Sequence, residues 1–173
     1  DLTKISVYPP AVKKDYTSEL CQVASLNADH TTTEAQCTKL ALSKNEQSFL
    51  GYAYMGVSLR DQTEYKKAID YFQKSLNQSP NEFASTCLSE TYFLLEKFSD
   101  SIQQYEETIK KYPKAKRPHI GMAEALSKIG SYDKALEQYK LACEKGLKPL
   151  NSMMEIANIK KKISVVFWNF GYT

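Results

Sequence analysis

The stretch Tyr65-Lys-Lys-Ala68-Ile69-Asp-Tyr-Phe72-Gln-Lys-Ser75-Leu76 decides the fold, because it occurs three times. It returns as Phe98-Ser-Asp-Ser101-Ile102-Gln-Gln-Tyr105-Glu-Glu-Thr108-Ile109, and again as Tyr132-Asp-Lys-Ala135-Leu136-Glu-Gln-Tyr139-Lys-Leu-Ala142-Cys143. The offsets are 33 and 34 residues. Each copy sets apolar or small residues at i, i+3, i+4 and i+7, the spacing of one helix face. Ala68, Ser101 and Ala135 are small and admit a neighbouring helix. Phe72, Tyr105 and Tyr139 follow four residues later on the same face, as large knobs for the gap between helices.

A second helical stretch precedes each copy. These are Tyr52-x-x-Met55-Gly56-x-x-Leu59, Ser85-x-x-Leu88-Ser89-x-x-Tyr92 and His119-x-x-Met122-Ala123-x-x-Leu126, again 33 and 34 residues apart. In each, a bulky residue is followed at once by a small one. Pro80 and Pro113 fall where the first two units must end their second helix.

The pattern resembles the tetratricopeptide repeat (TPR), over roughly residues 47 to 147. That family pairs a large and a small residue in its first helix, then places an Ala, an aromatic four later and a closing Pro. The first helices here lack the usual Trp, Ser101 stands for Ala in the middle unit, and the third unit's Pro is late, at Pro149. The resemblance implies an all-α, right-handed superhelical solenoid of antiparallel helix pairs, with units at about 47–81, 82–114 and 115–147.

One helix pair cannot bury its apolar face alone, so caps are expected at both ends. Residues 15–45 read as a degenerate hairpin that turns near Asn27 to His30, with Thr31 or Thr32 capping its second helix. Residues 148–162 read as a last helix, because Met153-x-x-Ile156-Ala157-x-x-Lys160 lies 34 residues beyond the third first helix. About nine helices are expected in all. Residues 1–14 read as an extended N-terminal segment. The apolar tail 163–173 packs on the last helix, pairs with the N-terminal segment as a strand, fills the groove, or forms an oligomer contact.

Cys21 and Cys37 fall level across the predicted hairpin, within reach of a disulfide or as two half-buried thiols. A bridge closing ~15 residues stabilises by roughly 3 kcal/mol in the chain-entropy account. If formed, it points to an extracytoplasmic compartment, secreted or periplasmic; two thiols leave the cytoplasm open. The start at Asp1 rather than Met fits removal of a leader or a trimmed chain, and a helical domain cut from a longer protein is a further reading. Cys87 and Cys143 read as core residues.

The net charge of +3 is too small for a nucleic-acid partner or an anionic membrane. The basic runs at Lys110, Lys111, Lys114, Lys116 and Arg117, and at Lys160 to Lys162, read as solvated helix ends, with an anionic partner as the alternative. No segment reaches the ~18 apolar residues of a membrane span. No metal-ligand spacing, phosphate loop or nucleophile motif appears, and no cofactor is implied. Cys87 with His119 could be imagined as a thiol–imidazole pair, but His119 aligns with the packing positions Tyr52 and Ser85 and reads as a core or partly exposed His.

In the family, first helices line a concave groove that holds partner proteins. Carried over by helical spacing, that stripe is Leu50, Ala53, Val57 and Arg60; Phe83, Thr86, Glu90 and Phe93; Arg117, Ile120, Glu124 and Ser127; then Asn151, Met154, Asn158 and Lys161. Apolar residues with Arg and Glu interleaved suit an extended peptide or an amphipathic helix. The alternative is a structural subunit docking through its tails and ends. Some relatives clamp acidic chaperone tails with Lys, Asn and Arg; Ala53 and Val57 stand where Lys and Asn are needed, and only Arg117 matches. The partner and the oligomeric state are not legible.

Overall fold

The structure is a computed structural model that describes residues 16–43, 46–146 and 158–161. Among these lie eight helices: α1 (Thr17–Leu26), α2 (His30–Ala41), α3 (Ser48–Asp61), α4 (Tyr65–Gln78), α5 (Glu82–Leu94), α6 (Phe98–Lys111), α7 (Arg117–Lys128) and α8 (Tyr132–Glu144). Residues 158–161 form one more helical turn. No strand occurs among the described residues. The N-terminal segment 1–14, the tail 163–173, most of the expected last helix, Asn151 and Met154 lie outside them.

The helices alternate in direction because the turns repeat as the sequence does. Thr63, Glu96 and Gly130 each adopt a left-handed backbone, at φ 63°, 58° and 80°. The next residue's N–H then returns to the preceding helix: Glu64 to the Leu59 carbonyl at 2.9 Å, Lys97 to Tyr92 at 3.0 Å, Ser131 to Leu126 at 2.9 Å. This C-terminal cap ends one helix and starts its antiparallel partner two residues on. Ala28 (φ 54°) performs the same turn between α1 and α2.

Asp29 caps α2, accepting from the Thr32 N–H at 3.1 Å. The expected caps, Thr31 and Thr32, are inside the helix, which begins at His30. The carboxylate just upstream, a stronger cap than Thr, captures the first-turn donor instead. Asn81 caps α5, accepting from the Ala84 N–H at 2.7 Å while its amide donates to the Ser79 carbonyl at 2.8 Å.

Each helix packs on the next in sequence, and α1, α3, α5 and α7 also touch in order. No comparable contact joins α4 to α6 or α6 to α8. The first helices are therefore the closer-packed row and line the inside of the curve.

The knobs sit where their spacing put them. Ala68, Ser101 and Ala135 are fully buried, and Phe72, Tyr105 and Tyr139 are exposed by 2% or less. A methyl group added at Gly56 would lie 2.7 Å from the Phe72 ring, so the ring rests on bare backbone. At Gly121 an added methyl would collide with the Tyr105 hydroxyl, so Tyr105 of α6 rests on the next unit's first helix in the same way. Tyr139 shares its cluster with Ile159, which is 1% exposed, while Lys160 and Lys161 face solvent.

Several small polar residues in these seams find partners, though the buried Thr86 hydroxyl does not. Ser101 Oγ donates to the Ser89 carbonyl at 2.9 Å, Ser75 Oγ to the Phe49 carbonyl at 2.8 Å, and Ser85 and Thr108 hydroxyls pair at 2.6 Å. A Ser in an Ala position is harmless when its hydroxyl finds a carbonyl at once.

Cys21 and Cys37 are joined in a disulfide, with Cα atoms 4.8 Å apart and both residues wholly buried. With Leu40 they make the core of the cap, against which Leu50, Tyr54 and Met55 pack. Cys87 is buried and Cys143 half-buried, both as thiols. Burial, with Glu90 nearby, pushes the Cys87 thiol up to about 12. Only thiolate reacts, so the folded state holds Cys87 in its unreactive form. Thiol titration of denatured protein is expected to find two groups without reductant and four with it; folded protein at pH 8 is expected to offer Cys143 alone. Four thiols without reductant would disprove the bridge.

Candidate functional site

One cleft of about 540 Å³ opens on the inner row of helices. Its centre is a shared carboxylate. Glu90 Oε2 accepts from Arg60 at 2.8 Å and from Arg117 Nη2 at 2.9 Å, while Oε1 accepts from Arg117 Nε at 2.7 Å. The Arg117 contact is two-pronged, the geometry that fixes both planes. Arg60 also faces Asp61 at 3.7 Å.

These residues come from three successive first helices and run diagonally: the last turn of α3, the middle of α5, the first turn of α7. Arg60 complements the negative end of α3, but Arg117 stands at the positive end of α7, where a cation is disfavoured. Glu90 reverses that sign. Burial opposes the Arg117 charge, yet Glu90 outweighs it and holds the guanidinium above its ordinary pKa.

Phe93, Leu94, Ile120 and Gly121 form the apolar wall, Tyr105 lies at the floor, and Asp61 and Glu124 stand at the rim. The Phe93 ring is held edge-on to Phe98 at 5.5 Å. Burial, together with Glu90 and Glu124, raises the Tyr105 phenol, which stays protonated.

The structure brings Arg60, Glu90, Phe93, Arg117, Ile120 and Glu124 of the predicted stripe into this cleft. It does not bring the others. Ala53 is wholly buried and Thr86 is 3% exposed, so both are packing residues rather than groove surface. Val57 and Phe83 lean on the central core, and Leu50 on the disulfide cap. Ser127 is half-buried outside the cleft; Asn158 and Lys161 are exposed on the last helical turn. Where two helices meet depends on their crossing, and here it buries Ala53 and Thr86.

Asp61, Leu94, Tyr105 and Gly121 were missed. Gly121 carried a usable signal: a glycine inside a helix marks a close approach, here that of Tyr105.

Among the described residues no group of three His, Cys, Asp or Glu side chains is placed to hold a metal. His119 pairs through Nδ1 with Gln138 at 2.8 Å and is 4% exposed, as a packing residue. A second cleft lies between α2, α3 and α4, where His30 Nδ1 meets Ser58 Oγ at 2.7 Å. No described helix is long and apolar enough to cross a membrane.

Removing the shared carboxylate leaves two guanidiniums facing each other without it. Glu90→Ala is therefore expected to destabilise the fold by about 2 kcal/mol, the scale of hydrogen bonds to a charged group. Arg117→Ala, at an exposed site, is expected to cost well under half as much. Urea melts of the two variants check this; equal losses would show that the three residues do not act as one network.

The tetratricopeptide-repeat family model matches residues 54–82. No curated protein sequence matches the chain. Solved structures do. MamA AMB-1 superposes with a TM-score of 0.64 at 14% identity, covering 86% of this chain and 81% of MamA. Another MamA structure gives 0.63 at 22% identity, with 75% of each chain covered. The first TPR domain of Spaghetti (RPAP3), bound to the HSP90 peptide SRMEEVD, gives 0.65 at 19% identity, covering 69% of this chain and 96% of that one. The chain thus carries a tetratricopeptide-repeat match over residues 54–82 and shares the helical solenoid fold of these structures.

Proposed function

We propose that this protein is a protein-interaction module whose inner face takes an extended peptide or an amphipathic helix from a partner. The observation that carries the reading is the cleft itself. Its charged groups are already held in one geometry by Glu90, so little side-chain entropy is lost when a ligand arrives. Beside them Leu94 remains 46% exposed on an apolar wall. Large apolar side chains next to a fixed polar frame are how such grooves gain affinity and register.

The RPAP3 domain in the comparison holds the HSP90 peptide SRMEEVD, which carries three acidic side chains. The same mode is not proposed here: Ala53 is buried, Val57 carries no donor, and Arg117 is committed to Glu90. Binding, not catalysis, is the proposed role. The buried disulfide suits an oxidising compartment, secreted or periplasmic.

A second reading, a structural subunit that docks through its end, is favoured by α1. Tyr16, Leu20, Val23 and Leu26 are each more than half exposed there, three or four residues apart. A pull-down separates the two. Phe93→Ala with Leu94→Glu is expected to lose the partners that wild type captures, while Leu20→Asp with Val23→Asp is expected to keep them. The reverse outcome would reject the groove in favour of the end face.

A further inference from the structure

The cap helix α1 holds its neighbours with small residues and turns its large ones outward. Thr17, Cys21, Ala24 and Ser25 form its buried face. Leu20, Val23 and Leu26, three residues apart, are each more than half exposed, with Glu19 and Gln22 beside them. Of the seven large apolar side chains exposed among the described residues, five lie in the cap, from Tyr16 to Leu42. The end unit of a solenoid needs a polar outer face, and a contiguous apolar stripe marks a surface that something covers.

Length and area separate the possible occupants. A second copy would find a stripe about 15 Å long and one helix wide, well short of the ~800 Å² per partner of a stable interface. The tail 163–173 starts at the far end of the row, beyond the turn that carries Ile159. It would spend its whole extended length, ~3.4 Å per residue, in crossing the ~9 Å spacings between successive first helices. Residues 1–14 instead join α1 directly, at the edge of the stripe. Extended, they reach about 45 Å, against about 15 Å for α1 itself. They hold Leu2, Ile5, Val7, Tyr8 and Val12, and Ile5 and Val7 alternate with Lys4 and Ser6. An extended run of that pattern has one apolar edge and one wet edge. Pro9 and Pro10 bar α1 from running back through them. A tethered segment also needs less area than a free partner, because the linkage sets its effective concentration.

We propose that residues 1–14 fold back over α1, with Ile5 and Val7 seated on Leu20 and Val23, and so close that end of the solenoid. This is independent of the groove, and it withdraws from other subunits the α1 face that favours the second reading.

The full chain with Leu20 replaced by the photo-cross-linker p-benzoylphenylalanine tests it. Unlabelled and isotope-labelled copies are mixed, irradiated, digested and mapped by mass. The expected product joins position 20 to residues 2–12 within one copy. Urea melts then read whether the contact stabilises. Ile5→Asp with Val7→Asp is expected to lower the midpoint, and so is Leu20→Gln with Val23→Gln, a pair that keeps helix propensity. All four together are expected to lower it no further than the worse pair, because both pairs remove one contact. Products that mix the two isotopes would assign the face to a second copy, and links to residues 163–173 would assign it to the tail; either overturns the proposal. So would the absence of any link to residues 2–12, an unchanged midpoint in the Ile5 and Val7 variant, or losses that simply add.

Discussion

An aromatic ring laid on bare backbone holds this molecule together. Phe72 rests on Gly56 and Tyr105 on Gly121, and each contact exists only because one partner has no side chain. Such contacts bring helices close enough for the rest of the seam to fill with small residues, Ala68, Ser101 and Ala135, which are themselves fully buried. A helix pair by itself would leave that ring half in water. Stacking is therefore not an ornament of the fold but the condition for each unit to fold at all.

The cleft is a consequence of the same stacking. Tyr105 leans from α6 onto α7, fixing the approach of the third unit to the second. That approach places the first turn of α7 opposite the middle of α5, so Arg117 meets Glu90 rather than the residue at its own repeat position. Arg60 reaches the same carboxylate from the end of α3. The inner face is thus pinned electrostatically at one point and left apolar beside it.

How much of this is legible in the sequence follows the range of each interaction. The knobs and small residues were readable because they recur along single helices at fixed offsets. The disulfide was readable because Cys21 and Cys37 stand level across one hairpin, a local geometry. The Arg60–Glu90–Arg117 network was not: its members were each on the predicted stripe, but their pairing depends on a stagger between units that no periodicity encodes. Ala53 and Thr86 were misjudged for the same reason, since the edge of a buried seam is set by how neighbouring helices cross. Asp29 caps α2 where Thr31 or Thr32 was expected, because the helix starts earlier, at His30.

The central claim is that neighbouring hairpins hold one another through these rings: Tyr105 rests on Gly121 of the next hairpin, and Phe72, seated on Gly56 of its own hairpin, shares a core cluster with Ala84, Cys87 and Leu88 of α5. Amide hydrogen exchange on Phe72→Ala, read helix by helix, tests it most directly. Removing a buried ring of this kind costs about 3–5 kcal/mol, and protection is predicted to fall in α3 and α4 and also in α5 and α6, whose support has gone. Protection lost in α3 and α4 alone, with α5 and α6 unchanged, would contradict the account.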